Sequence, residues 1–333
     1  MIKKISLILL IVMFLISLTG CSASDNEYVT SFQTTNSENA MHFDIDGTTL
    51  KISGMVEGED KNYIMVLFDG DGENENIGKT SVQNGRFAVE AQIPDKNKMT
   101  VDIFAGSEEY GQYESIIANF VNIGKSDDEF GFIMAPVYKE NKDFFARDKE
   151  SYDNLDNTEY IQSSDSEIVS LSNEITHGLS DNYDKVQAIH DWVAENIFYD
   201  FDAFYNGDLN GVDAKSVLNS KKSVCAGYAN LMAALIRCQG IPCRVQSGFA
   251  LGIGEEQKWT SANKYKESNH AWNEVYVDER WIIIDATWDS NNEYKDGEYI
   301  KGDTIKQIYF DSTMEFFSFS HKLLEDQEIV QYE

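Results

Sequence analysis

Residues 270–285 read His270-Ala271-Trp272-Asn273-Glu274-Val275-Tyr276-Val277-Asp278-Glu279-Arg280-Trp281-Ile282-Ile283-Ile284-Asp285. Two runs rich in β-branched and aromatic residues flank the polar pair Asp278-Glu279, which is the pattern of two antiparallel strands joined by a two-residue turn. If Val277 faces Arg280, the same register sets Trp272 opposite Asp285 and His270 opposite Thr287. Side chains two apart on a strand share a face. His270 and Asp285 then become diagonal neighbours on one side of the sheet, where a carboxylate can orient an imidazole. A register one residue off would put them on opposite faces.

Upstream, the text is helical. Ile168, Leu171 and Ile175 recur at helical spacing, as do Val186, Ile189, Val193 and Ile197, with Ser and Asp before each run able to cap it. A loop is expected from Tyr199 to Gly211 and a short helical stretch around Ala214 to Leu218. A third helix begins near Cys225, carries Leu231, Ala234, Leu235 and Cys238 on one face, and is stopped by Gly240-Ile241-Pro242. Strand-like text resumes over Arg244 to Leu251, so this half is α+β, helices first and sheet afterwards.

Cys225 opens its helix, where unpaired N–H groups and the positive end of the dipole favour a thiolate, the nucleophilic form. Of the five histidines, His42, His177, His190 and His321 read as structural or solvated, whereas His270 stands beside a carboxylate. A helix-borne thiolate, a strand-borne imidazole and a carboxylate fixing its tautomer are the parts of nucleophilic acyl transfer.

Val224-Cys225-Ala226-Gly227-Tyr228-Ala229, Gly240-Ile241-Pro242-Cys243-Arg244-Val245, His270-Ala271-Trp272-Asn273-Glu274-Val275 and Trp281-Ile282-Ile283-Ile284-Asp285-Ala286-Thr287-Trp288 resemble, in order, the motifs of the transglutaminase-like superfamily. The resemblance implies a papain-like α+β domain with Cys225 as nucleophile, His270 as general base and acid, and Asp285 as orienter. It implies an oxyanion site made by the Cys225 N–H and an upstream polar or aromatic side chain, for which Tyr199 is the candidate. Two positions depart from the pattern: Ser223, where many relatives have glycine, and Cys243, where many have alanine. No cofactor and no metal are implied.

Residues 41–138 alternate apolar and polar positions between turn signals such as Asn84-Gly85, and are expected to form an all-β sandwich resembling the immunoglobulin-like modules of bacterial surface proteins. The acidic run from Asp69 to Glu75 lacks the sixth-position glycine of an EF-hand loop and reads as a solvated turn. Residues 139–164, charged and poor in aliphatic side chains, are expected to link the sandwich to a catalytic domain over 165–333.

Met1 to Lys4 are basic and Ile5 to Leu18 form an apolar run too short to span a bilayer, so residues 1–20 read as an export signal. The run ends in Leu18-Thr19-Gly20-Cys21, which resembles a lipobox. Cys21 is accordingly the expected lipid-attachment site, and residues 21–40, polar and without hydrophobic period, the flexible tether. The protein is thus expected on the extracytoplasmic face of a bacterial membrane. Cys225, Cys238 and Cys243 remain as an odd set, which leaves at least one free thiol. A formal charge of −30 spread along the chain excludes nucleic acid as a partner.

The expected activity is cysteine-dependent acyl transfer on a protein or peptide amide at the cell surface, with hydrolysis exceeding transamidation because residues 252–268 before the His270 strand are polar. A non-catalytic envelope-binding module keeping the same scaffold is the alternative, and a binding module has no need of all three chemical residues. Oligomeric state is not legible in the sequence.

Overall fold

The computed structural model describes residues 26–324 apart from 57, 59, 71–72, 148–155, 253–257 and 303–304. The apolar run of residues 5–18 and Cys21 lie outside the described residues.

The N-terminal half is built from β1 (Tyr28–Val29), β2 (Ser31–Gln33), β3 (His42–Asp46), β4 (Thr49–Met55), β5 (Tyr63–Gly70), β6 (Glu73–Ser81), β7 (Arg86–Gln92), β8 (Lys98–Gly106), β9 (Tyr113–Ser126) and β10 (Glu129–Ile133). Six strands form one sheet in the order β1-β10-β9-β8-β5-β6, and four form a second in the order β2-β3-β4-β7. Burial alternates strictly along β3 and β7, as expected of strands with one face on a core and one in water. The Asn84-Gly85 turn has both residues left-handed, φ 52° and 74°, which is why glycine stands there. The tip of the acidic hairpin, residues 71–72, is outside the described residues, and β5 and β6 pair up to Gly70↔Glu73.

The tether expected over residues 21–40 is not free from Tyr28 onward. Tyr28 pairs with Ile133, and Phe32 is buried, stacked on Phe43 with centroids 4.6 Å apart and edge-on to Phe132 at 4.9 Å. Strands of two and three residues carry no readable period, so only isolated aromatic anchors signalled them. The linker expected over 139–164 is likewise structured where it is described. Helix α1 (Tyr138–Arg147) buries Asn141, whose amide donates to the Ser318 hydroxyl at 2.8 Å and the His321 carbonyl at 2.9 Å, while Ile161 joins the core of the C-terminal helices.

The C-terminal half continues with α2 (Ser166–Ile175), α3 (Asn182–Asn196), β11 (Phe198–Asp200), α4 (Phe201–Asn206), α5 (Ala214–Ser220), β12 (Lys222–Ser223), α6 (Cys225–Cys238), β13 (Cys243–Ala250), β14 (His270–Val277), β15 (Arg280–Ile284), α7 (Ala286–Asp289), β16 (Glu293–Lys295), β17 (Glu298–Ile300), α8 (Met314–Phe317) and β18 (His321–Leu323). The segment read as a loop from Tyr199 thus holds a strand and a short helix, and β11 joins a small sheet ordered β12-β11-β16-β17. The main sheet runs β15-β14-β13-β18. Helix α6 is its backing: Leu231, Met232 and Leu235 are fully buried in one apolar cluster with Ile168, Val186, Ile189, Val275 and Ile282. The β14–β15 register runs from Val277↔Arg280 to Asn273↔Ile284, as the two-residue turn requires.

The two halves share a core. The Phe32 and Phe319 ring centroids lie 5.5 Å apart, and the core cluster of the β-rich half extends through Trp272, Phe316 and Phe317 of the C-terminal half. Backbone bonds from Asn36 N–H to the Asp311 carbonyl (2.9 Å) and from Thr313 N–H to the Thr34 carbonyl (3.0 Å) tie the same seam.

Candidate active site

Six helices begin with a side-chain acceptor over their first N–H groups: Asp165 for α2, Asp181 for α3, Asp200 for α4, Asp213 for α5, Asp285 for α7 and Thr313 for α8. Helix α6 begins after Val224 and has no side-chain cap. The Gly227 N–H bonds back to the Val224 carbonyl, and the donors before it face whatever charge develops at Cys225, the first residue, which is partly exposed. Ser223, the departure from the family pattern, packs over Gly227, where any Cβ would collide with the serine side chain.

His270 is the first residue of β14, opposite Gly248 of β13. A Cβ on Gly248 would strike the Trp272 indole and the Lys322 carbonyl, so glycine is required for the strands to approach here. The imidazole Nε2 lies 2.6 Å from Asp285 Oδ2, and the ring is also in hydrogen-bonding contact with the Cys225 side chain, which leaves Nδ1 for the sulfur. Burial opposes a charge on His270, but Asp285 and Cys225 outweigh it and raise the imidazole to about 10. Asp285 is buried too, yet His270 and His321 hold its carboxyl well below the usual carboxylate range. Its other oxygen accepts from the Thr287 and Trp288 N–H groups at 3.0 and 3.2 Å, capping α7.

His321, read from sequence as structural or solvated, is a second partner of this carboxylate. It is fully buried, its Nε2 lies 3.2 Å from Asp285 Oδ2, and its ring stacks on Phe317 at 4.2 Å and packs on Trp288 at 4.4 Å. The aromatic run Phe316-Phe317-Ser318-Phe319 before it was the available signal, because a histidine in apolar text is buried and must find partners. Trp272 and Trp288 wall the His270 ring at 6.1 and 5.8 Å, whereas Trp281 turns away under the Arg244 guanidinium.

Tyr199 stands on β11, which pairs with β12 at Tyr199↔Ser223, so the strand delivers the phenol beside the start of α6. Burial, then the charges of Cys225 and Asp285, push its hydroxyl above the ordinary phenol range, so it stays a donor. Cys238 and Cys243 are free thiols, pushed up by burial to about 11 and about 12.

His270, Asp285 and His321 bring three possible ligand atoms within 4.8 Å, the one such trio among the described residues. Mutual hydrogen bonds already account for their approach. A cavity of about 320 Å³ lies between the two halves, lined by Met41, Val56, Lys61, Ile116, Lys306 and Ile308, and contains none of the three chemical residues. A smaller groove of about 210 Å³ adjoins the nucleophile at Val212, Lys222, Ser223 and Val224.

Residues 169–286 match the model of the Transglutaminase-like superfamily. The chain carries a transglutaminase-like domain. That domain is similar to mouse Kyphoscoliosis peptidase, 31% identical over 120 residues, which is 36% of this chain and 18% of the mouse protein. A Bacillus subtilis protein, YebA, is 25% identical over 208 residues, 59% of this chain and 27% of its own length. The chain therefore spans under a third of these curated relatives. Among solved structures, red sea bream transglutaminase matches at 13% identity and a TM-score of 0.26, over 78% of this chain and 50% of that one.

Proposed function

We propose that the transglutaminase-like domain is a cysteine acyl-transfer enzyme acting on protein or peptide amides, with hydrolysis exceeding transamidation. One observation carries the reading: a buried His270–Asp285 pair at 2.6 Å whose other face meets the thiol at the uncapped start of α6. In this proposal the Cys225 sulfur, its proton on His270, adds to the amide carbonyl. The Cys225 N–H and the Tyr199 hydroxyl receive the oxyanion. Collapse breaks the C–N bond, His270 returns its proton to the leaving amine, and a thioester remains. Water, deprotonated by His270, then adds to the thioester and releases a carboxylic acid and the thiol.

Transamidation needs a dry acceptor cleft that gives an amine a large effective concentration over water. The segment before β14 favours water. Its Trp259 is turned inward, donating to the Ser318 and Phe319 carbonyls, and Tyr265 is exposed. The wider reading, that Cys21 anchors the chain to the extracytoplasmic membrane face and that the β-rich half is an immunoglobulin-like sandwich, rests on the lipobox-like and alternating sequence patterns. A glutamine-containing peptide with excess lysine-like amine, and Cys225→Ala as blank, tests the reaction. Free acid should dominate, and mostly cross-linked product at millimolar amine would reverse the reaction type.

A further inference from the structure

Asp285 Oδ2 is shared by two imidazoles, His270 at 2.6 Å and His321 at 3.2 Å. Sharing is unusual in purpose, because one histidine faces the thiol and the other faces only protein. His321 sits on β18, fully buried between Phe317 and Trp288. Its Nδ1 lies 2.8 Å from the Ser320 hydroxyl, which in turn lies 3.2 Å from the Tyr309 hydroxyl.

A carboxylate only accepts, so the Nε2 facing Asp285 carries the proton; the Phe317 carbonyl also lies within reach of the ring, but a neutral ring has one N–H, which the charged carboxylate takes, and Nδ1 then accepts from Ser320. Donation then runs one way: Tyr309 to Ser320, Ser320 to His321, His321 to Asp285. Burial, despite the Asp285 bond, pushes His321 down to about 4, so it stays neutral across the working range. With the Thr287 and Trp288 N–H groups, Asp285 has a donor for each of its principal acceptor directions.

We propose that His321 is a positioning residue of the acyl-transfer site: a neutral donor that locks Asp285 in one orientation and draws charge from the oxygen facing His270, thereby setting the pH at which His270 works. The proposal rests on the catalytic reading of Cys225 and His270. The other ionisable groups facing this set are Cys225 on α6, Tyr199 on β11, Asp289 at the end of α7 and Tyr309. None of them donates to Asp285 Oδ2 in the place of His321.

The test uses the whole chain and the pH dependence of Cys225 alkylation by iodoacetamide, read by peptide mass. In His321→Leu the carboxylate charge falls on His270 alone, so the alkaline limb should move up by about half to one pH unit, the scale of losing one donor to a charged neighbour. His321→Gln, whose amide can donate in the same place, should restore the limb toward that of the parent. An unmoved limb in a folded His321→Leu, or an equal shift in both variants, overturns the proposal. Should His321→Leu not fold, nitrogen NMR of the unsubstituted protein decides. A neutral ring with its proton on Nε2 at pH 7 is required, and an Nδ1 proton or an imidazolium refutes the assignment. If Cys225 is not the preferentially labelled thiol of the parent, the catalytic reading and this proposal fall together. If it is preferentially labelled while the limb ignores His321, only this proposal falls.

Discussion

Two buried histidine–aspartate pairs end on the same four-residue helix, α7: Asp285 caps its start and pairs with His270, and Asp289 closes it and pairs with His190. His190 is saturated with carboxylates, Asp191 on Nδ1 at 2.8 Å and Asp289 on Nε2 at 3.1 Å, and has no exposed surface. Asp289 also accepts from the Ile308 and Tyr309 N–H groups, and Gln307 donates to Asp191, so this pair knits α3 to the strap at 306–309. His270 has one carboxylate and gives its other face to a partly exposed thiol. The same two residue types make architecture when both imidazole nitrogens are occupied by fixed acceptors. They can make chemistry when one nitrogen is kept for a group that reacts.

The largest effect should separate the two pairs outright. His270→Asn should lower amide turnover by about 10²- to 10⁴-fold, the usual contribution of a positioned acid–base group, in protein that is still folded. His190→Asn should cost stability without touching the reacting atoms, about 3–5 kcal/mol, because the buried Asp289 carboxylate loses its countercharge. Denaturant melts and initial rates on both variants read the difference. An inactive His190→Asn that melts like the parent, or a folded His270→Asn that turns over amide at the parent's rate, would break the comparison.

How far the sequence foretold this arrangement follows from the length scale of each signal. The β14–β15 register was legible because two periodic strands flank a turn of fixed length, and it alone placed His270 near Asp285. Helices α2 and α3 were legible from apolar repeats of ten to fifteen residues preceded by Asp165 and Asp181, which cap them. Nothing of comparable length announces β1, β2, β11 or β18, each two or three residues long and held by tertiary contacts. His321 was missed for that reason, since its partner is 36 residues away and its strand has no turn to fix a register. Helix α1 was missed because its text is charged, and a few side chains, the buried Tyr138 and Asn141 with the half-buried Phe144 and Phe145, pin it to the core.

A middle-sized effect is the pH dependence of stability. Burial opposes a charge on His190, but Asp191 and Asp289 raise it to about 9, and His270 is raised to about 10. Burial raises Asp289 as well, yet its two backbone donors and the His190 bond support the ionised pair. A histidine raised above its unfolded value of about 6.5 stabilises the fold fully below that pH and stops doing so as pH climbs through the folded value. Melting temperature should therefore fall between about pH 6.5 and 9–10. His190→Asn should flatten the lower part of this decline, and His270→Asn the upper. A melting temperature level from pH 6 to 10 in the parent would show that neither imidazole is held charged.

The smallest effect concerns the turn that sets the register of one pair and not of the other. Asp278 and Glu279 are both left-handed, φ 52° and 61°, the mirror-image turn that matches strand twist and ordinarily carries glycine at its second position. Left-handed backbone costs a non-glycine residue about 1–2 kcal/mol, partly offset because glycine loses more freedom on folding, about 0.5–1 kcal/mol. Glu279→Gly should then stabilise the chain by up to about 1 kcal/mol, seen as a rise of roughly 1–3 °C in melting temperature. Glu279 is exposed, so little packing is lost. Because the substitution relaxes the turn without changing its length, Val277↔Arg280 and the His270–Asp285 approach persist, and Cys225 should alkylate at the parent's rate. The His190–Asp289 pair, which lies outside this hairpin, should keep its own share of the pH-dependent stability. A lower melting temperature would mean that Glu279 is held by contacts stronger than its backbone strain. A changed alkylation rate at unchanged stability would mean that the turn tunes the His270–Asp285 geometry instead of only fixing its register.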